Sequence, residues 1–260
     1  RFSGTSGGNP NLSEETATTW TVGTVIQPRF IRGLTLSVDF YSIRIEDAIA
    51  AVSAQDIVNT CYDNDTFPNQ FCALFSRNGP NSGPTTFGFN FLRQTQINFG
   101  RIETSGIDAT LDYRFSLGAN NFGINVVANW TEKLNRFFDP VNRNLVNPGL
   151  KETGAPEWSG VGSFTWNRGA FTLNYSLQYI GRQAVASAIQ IERIDREFGP
   201  AGMAPEYWVH NLAATVDVQK NFSITAGVNN LTDKEPFIAS SAYPVSGIGR
   251  TVFVGVRANF

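Results

Sequence analysis

Charge is scarce in this chain of 260 residues: only 16% are Asp, Glu, Lys or Arg, against about a quarter in a typical soluble domain. The 20 basic and 22 acidic residues leave a net charge of −2 and form no basic block, so the electrostatic footprint of a nucleic-acid partner is missing. There is one His, one Met and two Cys. No catalytic triad can draw on a second imidazole, and two thiols without neighbouring His do not make a zinc site. Long hydrophobic runs are missing too. Runs such as Ala48–Val52 and Val126–Ala128 fall far short of the roughly 18 residues of a membrane-crossing helix. Disorder is excluded in turn by the aromatic content of 13% and the small net charge. Hydrophobicity spread thinly over a charge-poor, aromatic-rich chain is how a membrane β-barrel carries its lipid-facing surface.

Alternation with period two is the dominant pattern. Phe171, Leu173, Tyr175, Leu177 and Tyr179 alternate with Thr172, Asn174, Ser176 and Gln178. Phe122, Ile124, Val126, Ala128 and Trp130 alternate with Asn125, Asn129 and Thr131, with Val127 as the exception. Ile107–Phe115, Phe222–Asn229 and Thr251–Phe260 follow the same rule, and Thr16–Gln27, Leu34–Asp47, Glu157–Arg168 and Tyr207–Val218 follow it less cleanly. This makes about nine strands.

A soluble sandwich would alternate as well, and three features favour the barrel. The strands run to about 10 to 12 residues, where globular strands are mostly about 5 to 6 and tilted membrane strands about 9 to 11. Aromatics such as Trp20, Trp130, Trp158, Trp166, Tyr179 and Trp208 collect at the ends of the apolar faces, as interfacial girdles require. Tight turns (Pro28–Gly33, Gly118–Asn121, Asn167–Gly169, Gln219–Asn221) alternate with long loops (Ala48–Gly88, Arg136–Pro156, Ala184–Glu206, Lys234–Gly249), as in outer-membrane barrels with short periplasmic turns and long outer loops. On that topology Arg1–Glu15 is an outer segment. Bacterial single-chain barrels have even strand counts, and an open edge in hydrocarbon costs several kcal/mol per unpaired backbone group. The nine strands are therefore expected to be part of a larger barrel.

Four motifs carry a resemblance. Gly8-Asn9-Pro10-Asn11-Leu12-Ser13-Glu14-Glu15-Thr16 precedes the first strand. Asn98-Phe99-Gly100-Arg101 is followed by Thr104-Ser105-Gly106-Ile107-Asp108. Gly227-Val228-Asn229-Asn230-Leu231-Thr232-Asp233-Lys234 comes later, and the chain finishes on Phe260. In this order they resemble the C-terminal part of a TonB-dependent outer-membrane receptor, over essentially the whole chain. The resemblance implies an all-β transmembrane antiparallel barrel of 22 strands, with these nine as strands 14 to 22. It implies residues 1–260 as a C-terminal barrel segment, with the plug domain and N-terminal strands as its partners. It also implies a TonB-type energy-coupling protein acting through the plug, the lipid bilayer of the bacterial outer membrane, and a small-molecule ligand of siderophore, vitamin or oligosaccharide class. No enzyme activity and no cofactor are implied. Phe260, with Ala258 and Val256 on the same stripe, would be the signal read by the barrel-assembly machinery, or a plain girdle aromatic. A passive porin-like or structural barrel is the competing function.

Several residues invite a chemical role. Cys61 and Cys72 lie in the loop Ala48–Gly88, and an outer loop meets an oxidising compartment, so a disulfide is expected. Closing a loop of that size stabilises by roughly 2.5 to 3 kcal/mol in the chain-entropy description. Asp63 and Asp65 lack the Gly and distant Glu of a calcium loop, and Ser53 reads as the cap of a short helix. His210 shares a face with Trp208 and Leu212, near an interface. Asp39, Asp108, Asp112, Arg114 and Arg257 face inward and require a polar lumen. Glu192–Glu197 reads as a solvated charge cluster. Phe137 and Phe138 suit either a stacked ligand or loop packing. Sequons at Asn11, Asn64, Asn129, Asn174, Asn221 and Asn230 follow from an Asn/Ser/Thr-rich composition, several lying within strands.

Overall fold

The computed structural model describes residues 3–184, 191–237 and 245–258. Its elements are β1 (Ser3–Gly7), β2 (Thr16–Ile26), β3 (Leu34–Ala51), α1 (Ala54–Asp63), β4 (Phe75–Arg77), β5 (Phe89–Leu117), β6 (Asn120–Phe137), β7 (Asn147–Pro148), β8 (Trp158–Arg168), β9 (Phe171–Ile180), β10 (Gln183–Ala184), α2 (Ile191–Phe198), β11 (Met203–Ala204), β12 (Tyr207–Gln219), β13 (Phe222–Asn229) and β14 (Thr251–Ala258). Nine of these form one antiparallel path in the order β14-β13-β12-β9-β8-β6-β5-β3-β2, with β1, β4 and β7 paired alongside it. No helix among the described residues is long and apolar enough to cross a membrane, which leaves the strands to be considered.

The tight turns fall where the sequence places them. In the two-residue turns Gly118-Ala119 and Gly169-Ala170 the leading glycine has φ of 60° and 58°. Hairpin turns that follow the right-handed strand twist need such angles, and glycine adopts them without a Cβ penalty.

The chain divides into two compact units. One comprises Trp20–Ser42, Ser105–Leu134 and Gly149–Phe260. Here the pairing register sorts side chains onto two faces. Phe122, Trp166, Leu173, Ala214, Ala226 and Val254 form one cross-strand row, and Ile124, Phe164, Tyr175, Leu212, Val228 and Val252 form the next. Asn125, Ser163, Ser176 and Asn211 form a row on the opposite face. Val127, the exception to the alternation, lies on that polar face opposite Val161. A one-residue slip would exchange the faces, so the register is strongly specified.

Aromatics bracket the apolar face. Trp130 pairs with Trp158 at 6.0 Å and Tyr179 with Trp208 at 4.4 Å near the loop ends of the strands. Phe115 stacks on Phe122 at 4.9 Å and Trp166 meets Phe171 at 5.5 Å near the turns. From Trp158 to Trp166 the strand rises about 26 Å at roughly 3.3 Å per residue, which a tilt of about 40° reduces to about 20 Å, close to the apolar band of outer-membrane barrels. The face between is uncovered by protein: Val252, Val254 and Val256 keep 74%, 71% and 64% of their surface.

The other unit comprises Arg1–Thr19, Ile43–Thr104 and Asn135–Pro148. It has a conventional core, with Val52, Ile57, Cys61, Phe71, Leu92, Ile97 and Phe99 buried together. Two features of this unit lie outside the sequence reading. Ser3–Gly7, in the segment read only as outer, adds to β5 as a parallel strand, Ser3 opposite Phe91 and Gly7 opposite Thr95. Backbone hydrogen bonding alone drives this pairing, so no apolar alternation marks it. β5 is also far longer than 12 residues, at 29. Its Phe89–Thr104 part packs on the loop core, and the one-sided pattern that marks strands elsewhere is lost there, Leu92 being buried as well as Ile97 and Phe99.

Candidate ligand-recognition site

The loop Ala48–Gly88 is a small folded module. Ser53 accepts a hydrogen bond from the Asp56 amide at 3.2 Å and caps α1, as its position predicts. Cys61 and Cys72 are joined by a disulfide with their Cα atoms 4.9 Å apart, tying α1 to the short 3-10 turn Gln70–Leu74. Asn69 holds the loop between them: its side-chain amide donates to the Thr60 and Thr66 carbonyls, both at 2.9 Å, and its oxygen accepts from the Phe71 amide at 3.0 Å. Arg77 lies over the Phe89 ring at 4.3 Å and donates to the Tyr62 hydroxyl at 3.0 Å. Cys61→Ser with Cys72→Ser, in the complete protein, should lower the stability of this module by roughly 2.5 to 3 kcal/mol. Limited proteolysis should then cut between residues 61 and 72 under conditions where the oxidised protein resists, and mass measurement should show the oxidised form lighter by two hydrogen atoms than the reduced form.

Asn98 fastens three segments of this unit. Its Oδ1 accepts from the Ser13 amide at 2.9 Å, and its Nδ2 donates to the Ser13 and Asp47 carbonyls at 2.9 Å each. Glu15 accepts from the Ile49 amide at 2.6 Å, and Asn9 donates to the Gln96 carbonyl at 3.0 Å. The motif Gly8–Thr16 is thus a clasp onto β3 and β5. Gly100 in the second motif leaves room for Phe138, whose ring would lie 2.4 Å from an added Cβ. In the other unit, Asn230 (φ 52°) accepts from the Lys234 amide at 2.8 Å, donates to the Lys234 carbonyl at 2.9 Å and receives the Asn211 side-chain oxygen on its own amide at 2.9 Å. The motif residues are devices of chain geometry.

Above Asn98 lies a cleft of about 750 Å³ lined by Asp47, Asn64, Asp65, Asn69, Gln70, Asn98 and residues 141–144. A second, of about 430 Å³, shares Asp47, Gln70 and Asn98 and continues past Asn9, Asn11, Arg93 and Thr95. These surfaces are dominated by amides. The sequence patterns single out Asp65 but none of Asp47, Gln70, Asn98, Arg143 or Asn144 as a site. The one local signal is the density of asparagines in Asn142-Arg143-Asn144.

The other candidates fall as follows. Phe137 is buried with Arg101 over its ring at 3.7 Å, and Phe138 meets Phe99 at 6.5 Å, so both serve loop packing. His210 sits on the apolar face beside Leu177, one residue pair inside Trp208 and Tyr179 along β12, with Nδ1 2.6 Å from the Tyr175 hydroxyl. Asp108 accepts from Asn129 at 2.7 Å, Asp112 pairs with Arg114 at 3.2 Å, and Arg257 stands opposite Ser223 on the polar face. Asp39 accepts from Ser37 at 2.8 Å. Arg193 and Glu197 pair at 3.2 Å, while the side chains of Glu192, Ile194 and Asp195 lie outside the described residues, as does Phe260. Val256 and Ala258 point to the apolar side of β14, opposite Ile224 and Phe222. Among the described residues no cluster of His, Cys, Asp and Glu could hold a metal ion.

Just beyond the strands, Lys151 donates to Glu157 at 2.6 Å, and this hydrogen bond holds the Glu157 carboxyl below its usual range against the opposing effect of burial. A lowered folded pKa stabilises the fold above the ordinary glutamate value, and that contribution is lost as pH falls through the lowered one. Denaturation of the native protein and of Glu157→Gln should therefore differ at neutral pH and converge in acid.

Residues 1–231 match the family described as TonB dependent receptor-like, beta-barrel. The chain belongs to this family. The family is one of outer-membrane transport receptors. Among solved structures, the ferric enterobactin receptor of Pseudomonas aeruginosa, in complex with enterobactin, is similar at 17% identity and a TM-score of 0.61, covering 98% of this chain and 33% of the receptor. The siderophore receptor PirA of Acinetobacter baumannii gives 17% and 0.60, with 98% and 33% covered. The ferric-catecholate import receptor Fiu of E. coli K12 gives 14% and 0.54, with 96% and 28% covered. At these identities the likeness establishes the barrel fold alone. The chain spans about a third of the length of the first two receptors. No curated protein matches it in sequence.

Proposed function

We propose that these residues are the C-terminal wall of a TonB-dependent receptor for active uptake of a scarce nutrient across the bacterial outer membrane. The carrying observation is the direction of the end strands. In a path of nine antiparallel strands, β2 and β14 run the same way. They cannot close on each other as antiparallel partners, and each leaves backbone groups that hydrocarbon cannot satisfy. An odd number of further strands closes the wall, and thirteen N-terminal strands supply it in a 22-stranded receptor. In this reading the apolar face of the strand unit meets lipid, its polar face meets lumen and plug, and the loop module captures ligand. The energy-coupling protein acts through the plug. Phe260, with Val256 and Ala258, would present the terminal stripe to the assembly machinery.

Uptake by the complete protein should stop when the inner-membrane energy-coupling protein is deleted. Entry of the solute at an unchanged rate in that deletion strain would make the protein a passive pore and end the proposal.

A further inference from the structure

We infer that the loop module binds a neutral polyhydroxylated ligand, an oligosaccharide, and selects against anionic iron chelates; the inference rests on the reading of the protein as an uptake receptor. Three observations support it. First, the two adjoining clefts together carry two carboxylates, Asp47 and Asp65, against two guanidiniums, Arg143 and Arg93. They offer a multiply charged anion no excess of positive charge to draw and hold it. Second, neutral groups dominate the lining. Gln70 and Asn144 form no side-chain hydrogen bond to the protein, so their amides are free to donate and accept, the pattern that hydroxyl groups match. Third, Thr95 lines the adjoining cleft with 8% of its surface exposed, and its hydroxyl has no hydrogen-bond partner. A buried hydroxyl without a partner is costly, and a ligand hydroxyl entering the cleft would satisfy it.

One row on the polar face of the strand unit has the same character, between charged positions such as Asp108, Asp112 and Arg257. The row Asn125, Ser163, Ser176 and Asn211 is an uncharged ladder of amides and hydroxyls, with Asn211 donating to Ser176 at 3.1 Å. A row of this kind exchanges hydrogen bonds with a neutral polyol.

The test uses the complete receptor, purified in detergent, titrated with maltoheptaose, xylohexaose and a laminarin-derived hexaose, and separately with ferric enterobactin as the anionic chelate. At least one neutral glycan should bind saturably and the chelate should not. Gln70→Ala with Asn144→Ala should weaken glycan binding by about tenfold or more while the receptor's heat-modifiable mobility on gels stays unchanged. Asp65→Asn should leave glycan binding within about threefold, since an amide replaces a carboxylate as acceptor. Failure of all three glycans to bind overturns the inference, as does glycan binding unaffected by the double substitution. Chelate binding that is lost in Arg143→Ala also overturns it. Energy-coupled uptake of the chelate would remove this inference while leaving the receptor reading intact; uptake of glycan independent of the coupling protein would do the reverse.

Discussion

Leu212→Arg should destabilise the complete receptor in lipid by about 2 to 4 kcal/mol, the cost of arginine at mid-depth on a lipid-facing strand. Ala213→Arg, one residue along β12, should cost less than about 1 kcal/mol, because a lumen position leaves the guanidinium in water. The assignment comes from register: Leu212 stands opposite Tyr175 and Val228, whereas Ala213 stands opposite Asn174 and Gly227. Denaturant midpoints in phosphatidylcholine vesicles measure both. Equal costs at the two positions would mean that the faces are not divided between lipid and water.

Gly106→Ala should cost about 3 kcal/mol or more, the upper range for forced overpacking. A Cβ at this buried position would lie 2.3 Å from the Trp130 carbonyl oxygen and 2.6 Å from the Tyr41 hydroxyl. Tyr41 can swing aside, but the carbonyl belongs to the neighbouring strand, so β5 and β6 would have to separate locally. Gly123→Ala supplies the control. There an added Cβ meets only the Thr165 Cβ at 3.9 Å, and removing the entropic cost of a strand glycine should stabilise slightly. Refolding yield and denaturant midpoint of the two variants should move in opposite directions. A tolerated Gly106→Ala would show that the close approach of Tyr41 and Trp130 is not required.

The strand wall was legible because one side of it must be apolar at every second residue. Phe171–Tyr179 and Phe122–Trp130 show this without help from neighbours, and the register places their apolar sets in common rows. Parity followed from counting alone. The loop module was legible only in parts. Ser53 and the cysteine pair carry local chemistry, a cap and a covalent tie, and both are found as expected. Asn98 is different: it holds Ser13 across 85 positions and Asp47 across 51, and no periodicity reports contacts at such range. The clefts share that obscurity, since Gln70 and Arg143 meet only through folding. Phe137 and Phe138 looked equally suited to a ligand and to packing because an aromatic pair in a loop serves both; Arg101 and Phe99 decide for packing.

The common direction of β2 and β14 also constrains how such a wall can change over evolutionary time. Duplication or loss of a hairpin alters the strand count by two, so every event of that kind preserves the parity of this segment. On the proposed reading, strands can be gained or lost in pairs without changing the direction of either end strand. A step of one reverses the direction of an end strand, so whatever strands pair with it would have to change as well.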